Sequence, residues 1–70
     1  MIEMDIRILV GNKIKELRKE RNLSQEDLAL LSGLDRTYIN SVENGRRNIS
    51  IISLEKIANG LRVKIRNIFC

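Results

Sequence analysis

The sequence predicts an all-α domain built from five short helices. Three observations carry that expectation. No Pro occurs in 70 residues. Apolar residues recur at intervals of three and four, the spacing of one helix face. Cap-forming residues punctuate the chain at short intervals, marking successive starts and stops. No linker, repeat or low-complexity stretch divides the chain, and at this length residues 1–70 make one domain.

In the first helix, placed at roughly 5–21, Ile6, Leu9 with Val10, Ile14 and Leu17 share a face. Lys13, Lys15, Arg18, Lys19 and Arg21 form the other, a basic face on which Lys13, Lys15, Arg18 and Lys19 read as solvated. Gly11 lies inside and is expected to weaken the helix by about 1 kcal/mol relative to Ala. Ser24 begins the second helix, with Asp27 three residues on as its reciprocal cap. Leu28, Ala29 and Leu31 are its inward residues, and Gly33 suits the left-handed backbone that ends a helix.

Asp35 caps a third helix running from Arg36 to about Asn44 and closed by Asn44-Gly45. Ile39 and Val42 face inward, with Leu34 as an anchor just ahead. Arg36, Thr37, Asn40, Ser41 and Asn44 share the opposite face, which is polar but nearly uncharged. Ser50 caps a fourth helix, packed by Ile51, Leu54, Ile57 and Ala58 and stopped by Gly60. The alternation of Leu61, Val63 and Ile65 permits a strand, but a lone strand has no partner. Ile65, Ile68 and Phe69 therefore read as a final helical turn.

Composition excludes much. With no His and a single Cys, zinc-finger spacings and a disulfide framework are ruled out, and the usual general base is missing. No glycine-rich phosphate loop is present, so the chain reads as a non-enzyme without cofactor or metal. Cys70 reads as inert. No signal peptide or apolar run long enough to span a membrane is found, and one unpaired thiol suits the cytoplasm.

Thirteen Lys+Arg against nine Asp+Glu give a net charge of +4. The distribution is more telling than the sum. Residues 23–43 carry four carboxylates and one cation, Arg36, between two basic flanks. A binding surface for a polyanion must therefore be assembled from separate segments. Two short helices joined by a tight glycine turn, the second with a polar outward face, form a helix-turn-helix layout. In that layout the second helix enters the DNA major groove while the first braces it across the backbone.

Ser24-Gln25-Glu26-Asp27-Leu28-Ala29, Ser32-Gly33-Leu34, Arg36-Thr37-Tyr38-Ile39 and Val42-Glu43-Asn44-Gly45-Arg46-Arg47 together resemble the Cro/C1-type (Xre-like) helix-turn-helix family. The resemblance runs from about Lys13 to Phe69. Within the family, Leu34 to Ile39 and the stretch from Glu43 to Ser50 are most similar to the controller proteins of bacterial restriction–modification systems. It implies a Cro/C1-repressor-like five-helix fold, with a bracing helix at about 24–32, a recognition helix at about 36–44 and a dimerisation region at about 49–69. The implied function is transcription regulation on a pseudo-palindromic operator in double-stranded DNA, with activation and repression at the protein's own operon.

The resemblance also implies residue roles. Gln25 clamps a phosphate at the N-terminus of the bracing helix. Arg36 and Thr37 read base edges, the Arg by two bonds to guanine and the Thr by its methyl on thymine. Asn40 and Ser41 touch bases or phosphates, and Tyr38 either reaches a phosphate or edges the core. Arg46, Arg47 and Asn48 form a basic loop against the DNA, while Glu43 is architectural. Ile49, Ile51, Ile52, Ile65, Ile68 and Phe69 exceed what so small a core encloses, and some of them are expected to form a homodimer interface. Family logic extends to cooperative tetramers on tandem sites and to contact with RNA polymerase. A phage-type repressor or an antitoxin-type regulator fits the same motifs, and a protein-interaction module without DNA binding is the alternative from another class.

Overall fold

The computed structural model describes residues 5–69, as five helices. Cys70 lies outside them. Helix α1 spans Ile6–Glu20, α2 Gln25–Ser32, α3 Arg36–Glu43, α4 Ile51–Leu61 and α5 Arg66–Phe69. The tail is helical from Arg66, as the absence of a strand partner suggested.

Helices α1 to α4 each start at a side-chain cap. The Asp5 carboxylate accepts the Arg7 amide at 2.9 Å and pairs with its guanidinium. At α2 the Ser24 hydroxyl accepts the Asp27 amide and the Asp27 carboxylate accepts the Ser24 amide, both at 2.9 Å. The carboxylate of Asp35 accepts the Thr37 amide at 3.1 Å, and the Ser50 hydroxyl accepts the Ser53 amide at 3.0 Å. Caps of this kind contribute about 1 kcal/mol each. Gly33 ends α2 at φ 69°, a conformation in which a side chain would be strained.

The core is one cluster in which Ile14, Leu28, Ile39, Ile57, Leu61 and Ile68 are fully enclosed. Helix α1 packs on α3 and α5, and α2 packs on α3 and α4. The turn between α2 and α3 is therefore held from both sides, which fixes the direction of α3.

Six expectations need correction. Ile51, the first residue of α4, does not pack the helix: it is 81% exposed, and Leu54, Ile57, Ala58 and Leu61 are the buried residues. Ile6 and Leu9, at the start of α1, are exposed; only Val10, Ile14 and Leu17 of that stripe reach the core. Leu31 is 58% exposed, so α2 turns Leu28 and Ala29 inward with Ser32 instead. Gly11 is no weak point but a contact. An ideal Cβ there would lie 2.3 Å from the Val42 carbonyl oxygen, so α1 crosses the end of α3 backbone to backbone. Gly60 does not stop α4; the helix continues through Leu61, and Arg62, at φ 60°, makes the left-handed turn. Gly60 instead lets α2 approach, with the Leu28 side chain 3.3 Å from the position of a Cβ. Finally, Arg18 is buried rather than solvated. Arg21 also has a structural task, since its guanidinium donates to the carbonyls of Leu61 at 2.7 Å and Leu17 at 3.1 Å.

Candidate nucleic-acid interface

The outward side of α3 presents Arg36, Thr37, Asn40 and Asn44 exposed, with Ser41 half-buried beside them. Helix periodicity brings them together because Ile39 and Val42 commit the opposite side to the core. Gln25, in the first turn of α2, joins this side across the turn. It lines a shallow polar hollow with Arg36, Thr37 and Asn40. Arg36 sits at the N-terminal end of α3, where the helix dipole does not favour a cation. The side chain projects from an exposed position, free to meet a negative partner.

Behind this surface lies a buried ion pair. Arg18 on α1 donates to Glu43 on α3 through Nε at 2.6 Å and Nη2 at 3.0 Å. Its Nη1 donates to the Leu23 carbonyl at 2.7 Å, tying in the loop before α2. Gln25 Nε2 donates to the same Glu43 carboxylate at 3.1 Å. The Gln25 Oε1 then accepts from Asn40 Nδ2 at 3.2 Å, and Asn40 Oδ1 accepts from Asn44 Nδ2 at 3.2 Å. One chain of hydrogen bonds thus connects α1, α2 and the exposed side of α3. Among the described residues, no buried side-chain nitrogen or oxygen is left without a partner.

The burial of Arg18 was missed in the sequence, though a signal was present. Ile14, Leu17 and Arg18 stand at i, i+3 and i+4, and Ile39, Val42 and Glu43 repeat that spacing. A charge of opposite sign thus continues each apolar stripe, which is the pattern of two inward faces closing on an ion pair.

The loop after α3 is less uniform than its sequence suggests. Arg46 and Asn48 are exposed. Arg47 places its guanidinium over the Tyr38 ring, 5.1 Å from the centroid, a cation–π contact that ties the loop to α3. Tyr38 itself is half-buried against the core. In the first turn of α2, Asp27 has its carboxyl held below the usual range, chiefly by the Ser24 amide and then by the Ser24 hydroxyl. Asp5 is lowered to about 2, chiefly by the Arg7 guanidinium.

The residues expected at a dimer interface divide. Ile51 is 81% exposed, Ile52 67% and Phe69 50%. An apolar recess lies among Ile6, Val10, Ile49, Ile51, Leu54 and Phe69. Ile65 is half-buried against the chain's own core. Ile68 has to be removed from the set: it is 1% exposed within the single chain, filling the space between α5 and α1, and has no area left to offer.

Comparison with known proteins places these features. A helix-turn-helix family model matches residues 14–68. The control protein C.MunI of a Mycoplasma species is 53% identical over 66 residues, covering 93% of this chain and 89% of that one. The crystal structure of the restriction–modification controller protein C.AhdI from Aeromonas hydrophila superposes with a TM-score of 0.91 at 42% identity, covering 94% of this chain and 100% of the other. C.Esp1396I, solved bound to a 19-base-pair DNA duplex, is 44% identical, with a TM-score of 0.87 and coverage of 94% and 88%. That protein has also been solved with substitutions at an arginine, a threonine and a tyrosine that are consecutive in its chain. The same tripeptide stands here once, as Arg36-Thr37-Tyr38. Among the described residues, no helix is long and apolar enough to cross a membrane.

Proposed function

Because the chain belongs to the helix-turn-helix family, as a Cro/C1-type member closely related to restriction–modification controller proteins, we propose that it is a sequence-specific DNA-binding transcription regulator acting at its own operon. Helix α3 enters the major groove. The observation that carries this reading is the exposed polar side of α3, ordered together with Gln25 at the N-terminus of α2, in a chain similar to one solved on duplex DNA.

The division of labour follows from chemistry. Arg36 and Thr37, first on α3, meet base edges, and the Arg fork matches guanine O6 and N7. Gln25 keeps one amide N–H after its bond to Glu43, and it donates that hydrogen to a phosphate. Asn40 and Ser41 lie one turn further along the groove. Arg46 and Asn48 contact the backbone from the loop, while Arg47 and Tyr38 act as a stacked pair at its edge.

One such module buries about 600–1,000 Å² on DNA, which argues for two copies. A homodimer sealed by Ile51, Ile52 and Phe69, with Ile49 and Ile65 at its margin, presents two α3 helices to half-sites about one helical turn apart. Neighbouring dimers on tandem sites, and contact with RNA polymerase, complete the switch from activation to repression within the cytoplasm.

The test is Arg36→Ala on a duplex selected by the wild-type protein from a randomised pool. Affinity is expected to fall by about 1–3 kcal/mol on that duplex, with relaxed selection at one base pair per half-site. Equal weakening on scrambled DNA would reassign Arg36 to the phosphate backbone.

A further inference from the structure

We infer that Asn40 is an adenine-reading residue whose amide is held in one sense by its neighbours, so that an A·T pair is distinguished from its reverse. This inference rests on the DNA-binding reading above and adds the base, the atoms and the residues that aim them.

Asparagine carries two N–H donors on Nδ2 and two acceptor sites on Oδ1. In Asn40 one N–H is spent on Gln25 Oε1 at 3.2 Å. One acceptor site is spent on Asn44 Nδ2, also at 3.2 Å. What remains on the exposed side is one donor beside one acceptor. Adenine presents the complement in the major groove, N7 as acceptor and the N6 amino group as donor, and no other base offers that pair on one edge.

The sense of the amide is not free. Turning it over would set the Asn40 oxygen against Gln25 Oε1 and its NH2 against the Asn44 NH2. Gln25 is itself fixed, because its Nε2 donates to the Glu43 carboxylate at 3.1 Å and only the nitrogen end of its amide can do so. The Glu43 carboxylate is itself fixed in place, since it accepts from both Nε and Nη2 of the Arg18 guanidinium. Polarity therefore passes from a buried charge pair through Gln25 to Asn40. The nitrogen side of Asn40 faces α2, and its oxygen side faces the C-terminal end of α3. Gln25 and Asn44 are positioning residues for that choice.

The experiment uses the duplex selected by wild-type protein and variants in which each base pair of one half-site is replaced in turn, read by fluorescence anisotropy. Wild type is expected to require adenine at one pair per half-site beyond the guanine read by Arg36. Reversing that pair, or installing 7-deazaadenine, should weaken binding by roughly 5- to 150-fold. Asn40→Ala should bind all these duplexes alike. Gln25→Leu and Asn44→Ala should fold normally by thermal melting yet bind the A·T and T·A duplexes with a ratio near one. An unchanged ratio in Asn40→Ala overturns the base assignment. A normal ratio in both positioning variants overturns the fixed sense while leaving Asn40 a reader. Failure of wild type to select any duplex overturns the DNA-binding reading as well.

Discussion

Replacing Gly11 by Ala sets two physical arguments against each other. A glycine in the middle of a 15-residue helix should be improved by Ala, with a gain of about 1 kcal/mol in helix propensity. The packing says otherwise. The added Cβ would lie 2.3 Å from the Val42 carbonyl oxygen and 2.9 Å from that of Glu43, where ordinary contact begins near 3.4 Å. Both are backbone atoms, so no side chain can swing aside. Helix α1 has to retreat by about 1 Å from the end of α3, stretching the Arg18–Glu43 pair that joins the same two helices. Overpacking of this kind costs about 1–3 kcal/mol, and here the upper end applies because the obstruction is rigid. Net of the propensity gain, the variant should lose about 1–2 kcal/mol. In a domain this size that corresponds to a drop in Tm of roughly 5–15 °C. Thermal unfolding followed by circular dichroism at 222 nm, at fixed protein concentration, measures it. A Tm equal to or above wild type would refute the close approach of α1 and α3.

Three further outcomes follow from the same contacts. Arg18→Met should destabilise by about 3–5 kcal/mol in urea titration by leaving the Glu43 carboxylate buried without its cation, whereas Arg18→Met with Glu43→Leu should recover most of the loss; a double variant as unstable as the single one would contradict that. Asp27 and Asp5 have folded pKa values below their unfolded ones, so their stabilisation is complete above about pH 4–5 and disappears as pH falls toward 2. Asp27→Asn should accordingly flatten the fall of Tm between pH 5 and pH 2, and an unchanged slope would remove the capping box from the account. Ile52→Asp should leave the fold intact, because the side chain is exposed, but yield a monomer in sedimentation with much weaker DNA binding; an unchanged dimer would move the interface elsewhere.

Helix starts were legible in the sequence because each depends on two or three adjacent residues. Ser24 with Asp27, Asp35 before Arg36, and Ser50 all cap where their chemistry indicates. The polar side of α3 was legible for a similar reason, since Ile39 and Val42 fix its rotation. Packing between helices was not. Gly11 and Gly60 look like interruptions along the chain, yet each is a place where another backbone approaches. Periodicity likewise assigned Ile6 and Leu31 to inward faces, but both are more than half exposed, at 56% and 58%. Arg18 shows the remaining gap most clearly. A cation on an amphipathic helix is ordinarily solvated, and only the partner 25 residues away makes its burial stable.

The central claim, that α3 reads DNA sequence from a scaffold set by the Arg18–Glu43 pair, is tested most directly by the affinity of wild-type protein for its selected duplex and for a scrambled one, across 50 to 200 mM salt. Binding to the selected duplex should be at least about 10³-fold tighter than to the scrambled one. Affinity should also fall by a factor on the order of 10³ or more over that salt range, as several phosphates are engaged. Equal affinity for both duplexes, or binding indifferent to salt, would contradict that claim.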